Sequence, residues 1–493
     1  MSIKRILCAL LAGCMMLPLA SCGNAPAENE TAEQDTAAVE TEKETTAEEA
    51  RLALPDDLPE ADYEGSDFTI LCYNHTSWLM DREELDGDVV NDAIYNRNHN
   101  VADRFNVNIV FDSAADYPTA SSNVKNAVTS GDDYYQLAAY HFIQMGSDLL
   151  SNTFMNMNDV PYINFEKPWW NDTTVNDMTY KGVTFMGVGF IGLSNVSSAY
   201  CLFYNQGLAA EYSLPDVFSF VDEGTWTKDK MKELAEVVQQ DVNGDGVKDT
   251  GDRYGMAFDL NGACDQFLWF FGKKIYTRQD DGTYADTYYD EKLVDLITWL
   301  HDFSFNGSYT YTEKSWGVGG TMFSAGNTLM VVGGIGGGLS YRDLDIDYSI
   351  IPAPKWDEKQ EKYITVSDGS SEAIAVLTTV QDVERAGVLT EALTAEGWKV
   401  MLPAYYDTAL KYKGTRDEKS VEILDMIVAN VIFDFGYVFG GETSATGAGF
   451  WIHKLLQQGS ADITSHYEAN KNNYQNKLAS AIAVFEEYLE TNG

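Results

Sequence analysis

The densest run of chemistry-bearing residues is Asp241-Val242-Asn243-Gly244-Asp245-Gly246-Val247-Lys248-Asp249-Thr250-Gly251-Asp252. Oxygen side chains stand at the first, third, fifth, ninth and twelfth places, with glycine at the sixth and a main-chain carbonyl at the seventh. A hard cation such as Ca²⁺ gathers about six to eight oxygens at roughly 2.3–2.6 Å, and this spacing wraps them round one point. The candidate metal ligands are Asp241, Asn243, Asp245, Val247 through its carbonyl, Asp249 and Asp252. The last place holds Asp instead of Glu, which shortens bidentate reach. Tyr254-Gly255-Met256-Ala257-Phe258 then reads as a strand, where an EF-hand would have its second helix. A structural Ca²⁺ is expected; a metal-free Asn/Asp/Gly surface turn is the alternative.

Catalytic signatures are sparse, and no enzyme activity is expected. The six histidines (75, 99, 141, 301, 453 and 466) form no HExxH pair, and no GxSxG elbow occurs. The glycine run 333–338 lacks the Lys-Ser/Thr of a phosphate-binding loop, so it reads as backbone freedom at a cleft wall. A carboxylate pair for glycoside hydrolysis would not show among 76 acids, where such pairs also arise by chance. The 10 Trp and 29 Tyr suit carbohydrate, whose flat C–H faces pack on aromatic rings while its hydroxyls seek polar partners. Most aromatics in any fold are core, and Trp226, just before a helix start, reads as structural. Trp78, past a strand end, and Trp451, in Gly447-Ala448-Gly449-Phe450-Trp451, are better placed for a ligand; Trp269, Trp316 and Tyr341 are weaker candidates.

The elements that would position these groups follow from periodicity. Residues 66–74 (SDFTILCYN) read as a strand, 90–105 as a helix with Val90, Ala93, Ile94, Val101 and Phe105 on one face, and 106–111 as a second strand. A helix near 121–129 and a strand at 135–140 complete a β-α-β-α-β order, which implies a parallel sheet with ligands at its carboxyl edge. Further on, 197–205, 328–332, 348–351 and 373–377 read as strands. Residues 227–240 read as a helix capped by Thr227, and helices dominate from 386 onward, including 420–432 and 476–489.

The chain has 493 residues, with 33 basic against 76 acidic side chains, a formal charge of −43. That length buries more than one core, while the charge disfavours nucleic acid and anionic lipid as partners. Residues 1–21 read as a signal peptide: Lys4 and Arg5, an apolar run, then Leu19-Ala20-Ser21-Cys22, similar to the lipobox of bacterial lipoproteins, with Cys22 the lipidated residue. Residues 22–61 read as the lipidated Cys and an acidic, solvated linker. Cys72, Cys201 and Cys264 remain, with no disulfide framework; a Cys201–Cys264 bridge stays open.

Several motifs in order resemble the extracellular solute-binding proteins of bacterial ABC importers, the sugar-type branch that includes maltose-binding protein. They are the lipobox, Val90-Asn91-Asp92-Ala93-Ile94-Tyr95-Asn96-Arg97-Asn98, Pro168-Trp169-Trp170-Asn171, Leu202-Phe203-Tyr204-Asn205, Thr225-Trp226, Asp252-Arg253-Tyr254-Gly255, Met322-Phe323 through Met330, Pro352-Ala353-Pro354-Lys355, and Pro403-Ala404-Tyr405-Tyr406. Together they span nearly all of 66–455.

The resemblance implies an α/β, two-lobe periplasmic-binding-protein-like fold of type II, hinged, with a helical C-terminal region. Lobe 1 would be 62–195 plus 368–415, and lobe 2 would be 196–367 plus 416–493. It implies a monomer held by its lipid on the outer face of the cell membrane, capturing a sugar or oligosaccharide and passing it to an ABC permease. A peptide or cationic solute on the same fold, or a secreted carbohydrate-active enzyme, are the alternatives. Similarity to the maltose-type proteins sets Trp451 at the place of a sugar-stacking aromatic. The topology adds Asn74, Trp78 and His141 at strand ends, Asp368 beside the hinge, and Gly334 and Tyr341 on the cleft wall.

Overall fold

The computed structural model describes residues 46–171, 176–341, 344–410, 418–440 and 447–492. The expected signal peptide and Cys22 lie outside the described residues. A short helix, Ala47–Leu52, opens on a reciprocal cap: the Thr46 hydroxyl accepts from Glu49 N and the Glu49 carboxylate accepts from Thr46 N. It belongs to a unit ending at Ala53; everything described below belongs to a second unit that begins at Leu54.

Residues 54–61, expected as linker, are packed. Leu54, Leu58 and Ala61 lie against the core, and Lys167 Nζ meets Asp57 at 2.5 Å. Here the acids find fixed basic partners, which the sequence pattern does not reveal.

The first sheet is built from β1 (Ser66–Tyr73), β2 (Val107–Ala114) and β3 (Leu137–His141). β1 runs parallel to both neighbours, with Ser66 opposite Val107 and Ile70 opposite Leu137. The connecting helices stop and start where the sequence says they must. Helix Val89–Phe105 is capped by Asp88 and ended by Asn106 in the left-handed conformation. Helix Tyr117–Ser130 is capped by Asp116 and ended by Gly131 at φ 67°. Phe68, Ile70, Leu71 and Cys72 of β1 are wholly buried, as expected of a parallel strand covered on both faces.

The second sheet uses β4 (Tyr200–Asn205), β5 (Tyr254–Asp259), β8 (Thr310–Glu313), β9 (Thr328–Gly334) and β10 (Tyr348–Ile351). Between β5 and β8 lies the hairpin β6 (Tyr276–Arg278) and β7 (Tyr284–Asp286). The order across the sheet is β10-β4-β9-β5-β8, with β5 parallel to β8 and β9, and β4 antiparallel to β9 and β10. The chain then returns: β11 (Thr365–Val366) precedes β12 (Glu372–Val376), which closes the first sheet antiparallel to β3 with Glu372 opposite His141. A further strand, β13 (Val431–Ile432), pairs with β11 in the crossing region.

The last helix, Ile463–Asn492, touches both halves. Its Tyr474 packs on Tyr288 and Trp451, whereas Phe485 packs on Phe185 and Phe435. Cys72, Cys201 and Cys264 are buried free thiols. Among the described residues no helix is long and apolar enough to cross a membrane.

Candidate functional site

A cavity of about 360 Å³ lies where the carboxyl ends of the two sheets meet. His141 and Ile143 enter it from the end of β3, and Asp368, Gly369 and Ser370 from the segment before β12. Asn261 and Gly262 follow β5; Lys314 and Trp316 follow β8; Tyr437, Phe450, His453 and Gln457 close the far side. Ligands of open α/β sheets bind at such carboxyl edges. A second cavity, of about 390 Å³, lies beside the end of the C-terminal helix, lined by Phe154, Asn156, Phe185 and Tyr488 among others. It takes no wall from the second sheet or the crossing segment, so the cavity between the sheets is the candidate.

Local geometry fixes each polar group. The Asp368 carboxylate accepts from Tyr200 Oη at 2.7 Å and from Ser370 N at 2.9 Å. Burial and the adjacent carboxylate hold the Tyr200 phenol far above its usual range. Gly369 leaves room for its neighbours: a Cβ there would lie 2.2 Å from Ile143 Cδ1 and 3.0 Å from Tyr437 Oη, so the Ile143 side chain would have to shift. His141 packs its ring 4.4 Å from Tyr117, and its Nδ1 accepts from Gln144 N at 3.3 Å. Burial pulls its pKa down to about 4, leaving it neutral at physiological pH. Across the cavity, buried Asp265 accepts from His453 N at 2.9 Å and pairs with His453 Nδ1 at 2.5 Å. Burial pushes the Asp265 carboxyl up.

The aromatic groups are presented differently. Trp316 is 81% exposed, on a turn fixed by Asp259, whose carboxylate accepts from Gly317 N and Gly319 N. Tyr437 and Phe450 lie 5.5 Å apart, centroid to centroid. The cavity therefore offers apolar ring faces beside carboxylate, amide, imidazole and ammonium groups, a combination that suits a polyhydroxylated ligand.

No protein-family description matches the sequence, and no curated protein matches it. Solved structures do. A cyclo/maltodextrin-binding protein complexed with maltotetraose aligns at 14% identity over 86% of this chain and 98% of its own, with a TM-score of 0.54. The GacH receptor of Streptomyces glaucescens, determined unliganded and with acarbose, aligns at 11% identity over 86% and 99%, with a TM-score of 0.53. A family 1 extracellular solute-binding protein from Bifidobacterium longum subsp. infantis aligns at 13% identity over 84% and 99%, also at 0.53. The chain has the solute-binding-protein fold. In this two-lobed α/β arrangement the cavity occupies the cleft between the sheets.

Of the ligand positions expected from sequence, His141 and Asp368 line that cleft, as does Trp316, one of the weaker aromatic candidates. Asn74 and Trp78 follow β1, on the same carboxyl edge as His141 but outside the cavity lining; the Trp78 indole donates to His75 O at 3.0 Å. Gly334 ends β9 opposite Tyr200, where a Cβ would press within 2.7 Å of Ser197 O. Tyr341 sits in a buried aromatic cluster with Phe203, Phe323 and Tyr348. Trp451 is 1% exposed and packed against Tyr288 and Tyr474, while its neighbour Phe450 lines the cavity. Phe450 belongs to the glycine-flanked run that points to its neighbour Trp451, whereas Asn261, Lys314, Tyr437, His453 and Gln457 carry no motif; Asn261 and Lys314 are signalled only by following strands β5 and β8.

In the 241–252 loop, Asp241 accepts from Gly244 N at 2.6 Å and Gly246 N at 2.8 Å. Asp245 accepts from Val247 N at 2.7 Å, and Asp252 from Val242 N at 3.0 Å. Among the described residues no three His, Cys, Asp or Glu side chains converge on a metal-sized point. The donor set is nonetheless chemically right for a hard cation, since a carboxylate oxygen holding an N–H keeps a second lone pair.

Proposed function

We propose that this protein captures a sugar or oligosaccharide in the cleft between its sheets and delivers it, unaltered, to an ABC permease. The observation that carries this reading is the make-up of the cavity. Trp316, Tyr437 and Phe450 supply ring faces, Asn261, Asp368 and Gln457 supply hydrogen-bond partners, and the walls come from both sheets and the segment between them. Relatives of the fold are described with maltotetraose and with acarbose. Isothermal titration across maltooligosaccharides tests it: saturable binding of one sugar per chain, with the sugar recovered intact, is expected. Absence of binding by any saccharide, or recovery of cleaved product, would contradict it.

The proposal places the protein outside the cell, tethered through lipid on Cys22. Labelling with an alkyne fatty acid should mark the wild type and not Cys22→Ser; label on both would contradict the anchor. The 241–252 loop is proposed to take one structural Ca²⁺. Chelation should then lower the melting temperature and added calcium restore it, whereas an unchanged melting temperature would remove the metal from the account.

A further inference from the structure

Two histidines line the cleft, His141 at the end of β3 and His453 on the helix Trp451–Gln457, and each has one ring nitrogen already committed. Gln144 N–H points at Nδ1 of His141, 3.3 Å away, so that nitrogen is the acceptor. In a neutral ring the proton then resides on Nε2. His453 is the reverse. Its Nδ1 lies 2.5 Å from Asp265 Oδ2, and its main-chain N–H donates to Oδ1 of the same carboxylate. An ionised carboxylate only accepts, so Nδ1 carries a proton, and in the neutral ring Nε2 keeps its lone pair.

We propose that His141 and His453 are locked in opposite tautomers and read the hydroxyls of the bound ligand as a donor–acceptor pair, His141 Nε2–H donating and His453 Nε2 accepting. The inference rests on the sugar-capture reading and names the polar contacts that read the sugar. A hydroxyl both donates and accepts, so a cleft offering one of each from facing walls selects polyols over ligands that only accept, such as carboxylates. Asp265 and Gln144 act as positioning residues: they touch the imidazoles, not the ligand. Neutrality of His141 is maintained by burial. The charged groups around His453 are Asp265, Lys454 on its own helix, and Lys314 and Asp368 across the cavity.

The test combines ¹⁵N-histidine spectra of the full chain at pH 8 with calorimetry against maltotetraose. The expected result is an Nε2–H ring for His141 and an Nδ1–H ring for His453, with the Nε2 resonances shifting as maltotetraose is added. Asp265→Asn, whose amide can donate to Nδ1, should invert the His453 tautomer. His453→Asn keeps an amide to bond Asp265 but removes the Nε2 acceptor. His141→Asn keeps an oxygen for Gln144 N–H but removes the Nε2–H donor. Each of these should weaken maltotetraose binding about tenfold, the loss of one hydrogen bond, with little change in melting temperature. Like tautomers in the two rings, or wild-type affinity in the folded Asn variants, would overturn this inference while leaving sugar capture standing. Absence of maltotetraose binding to the wild type would overturn both.

Discussion

Phe450 and Trp451 are adjacent in sequence and opposite in circumstance: one lines the cleft, the other is sealed among Tyr288, His466 and Tyr474. Phe450→Ala should therefore weaken maltotetraose binding at least tenfold in calorimetry with little loss of stability. Trp451→Ala should cost about 3–5 kcal/mol in urea unfolding, the usual cost of emptying a buried large aromatic site. Glu372 poses a different problem at the same scale. Its carboxyl is wholly buried, and burial raises its pKa to about 8 against the smaller opposing pull of the Glu372 and Ser194 backbone N–H groups and of Arg97. A carboxyl whose pKa is higher in the folded state keeps its stabilising contribution below the unfolded value and loses it as pH rises through 8. Glu372→Gln, which cannot ionise, should match the wild type near pH 4 and exceed it at pH 9 by on the order of 3 kcal/mol, read from urea midpoints. Equal stability at pH 9 would show that the carboxylate finds compensation.

At the scale of elements, much was legible where local signals were strong. Strands β1 to β3 and their two helices are readable because Asp88, Asp116, Asn106 and Gly131 punctuate clear apolar periods. The hairpin β6–β7 and strand β8 are not, since three- and four-residue polar strands carry no period. The C-terminal helix begins at Ile463, earlier than the expected 476: its first turns are polar and show no period, and they dock through Tyr467 on Tyr289 and Trp451. The cleft is the least legible part: its walls come from distant segments, so topology points only to His141 and Asp368, and aromatic character adds Trp316. Packing between elements is also testable. A Cβ on Gly255 of β5 would lie 2.1 Å from Ala235 Cα in helix Lys228–Val237. Gly255→Ala must push that helix off the sheet, and a loss of about 1–3 kcal/mol in chemical denaturation is expected.

For the whole molecule, the decisive feature is that the chain passes from the first sheet to the second and back, so that residues after β3, β5 and β8 and before β12 border one space. A ligand held there touches both sheets at once, and its affinity can differ between arrangements of the two halves. The acidic surface contributes solubility and repels polyanions, without specifying the guest. Hydrogen–deuterium exchange with and without maltotetraose decides whether both sheets hold the ligand. Peptides containing His141, Asn261, Trp316, Asp368 and Phe450 should gain protection together. Protection confined to the other cavity, around Phe154 and Tyr488, or to one sheet alone, would contradict this.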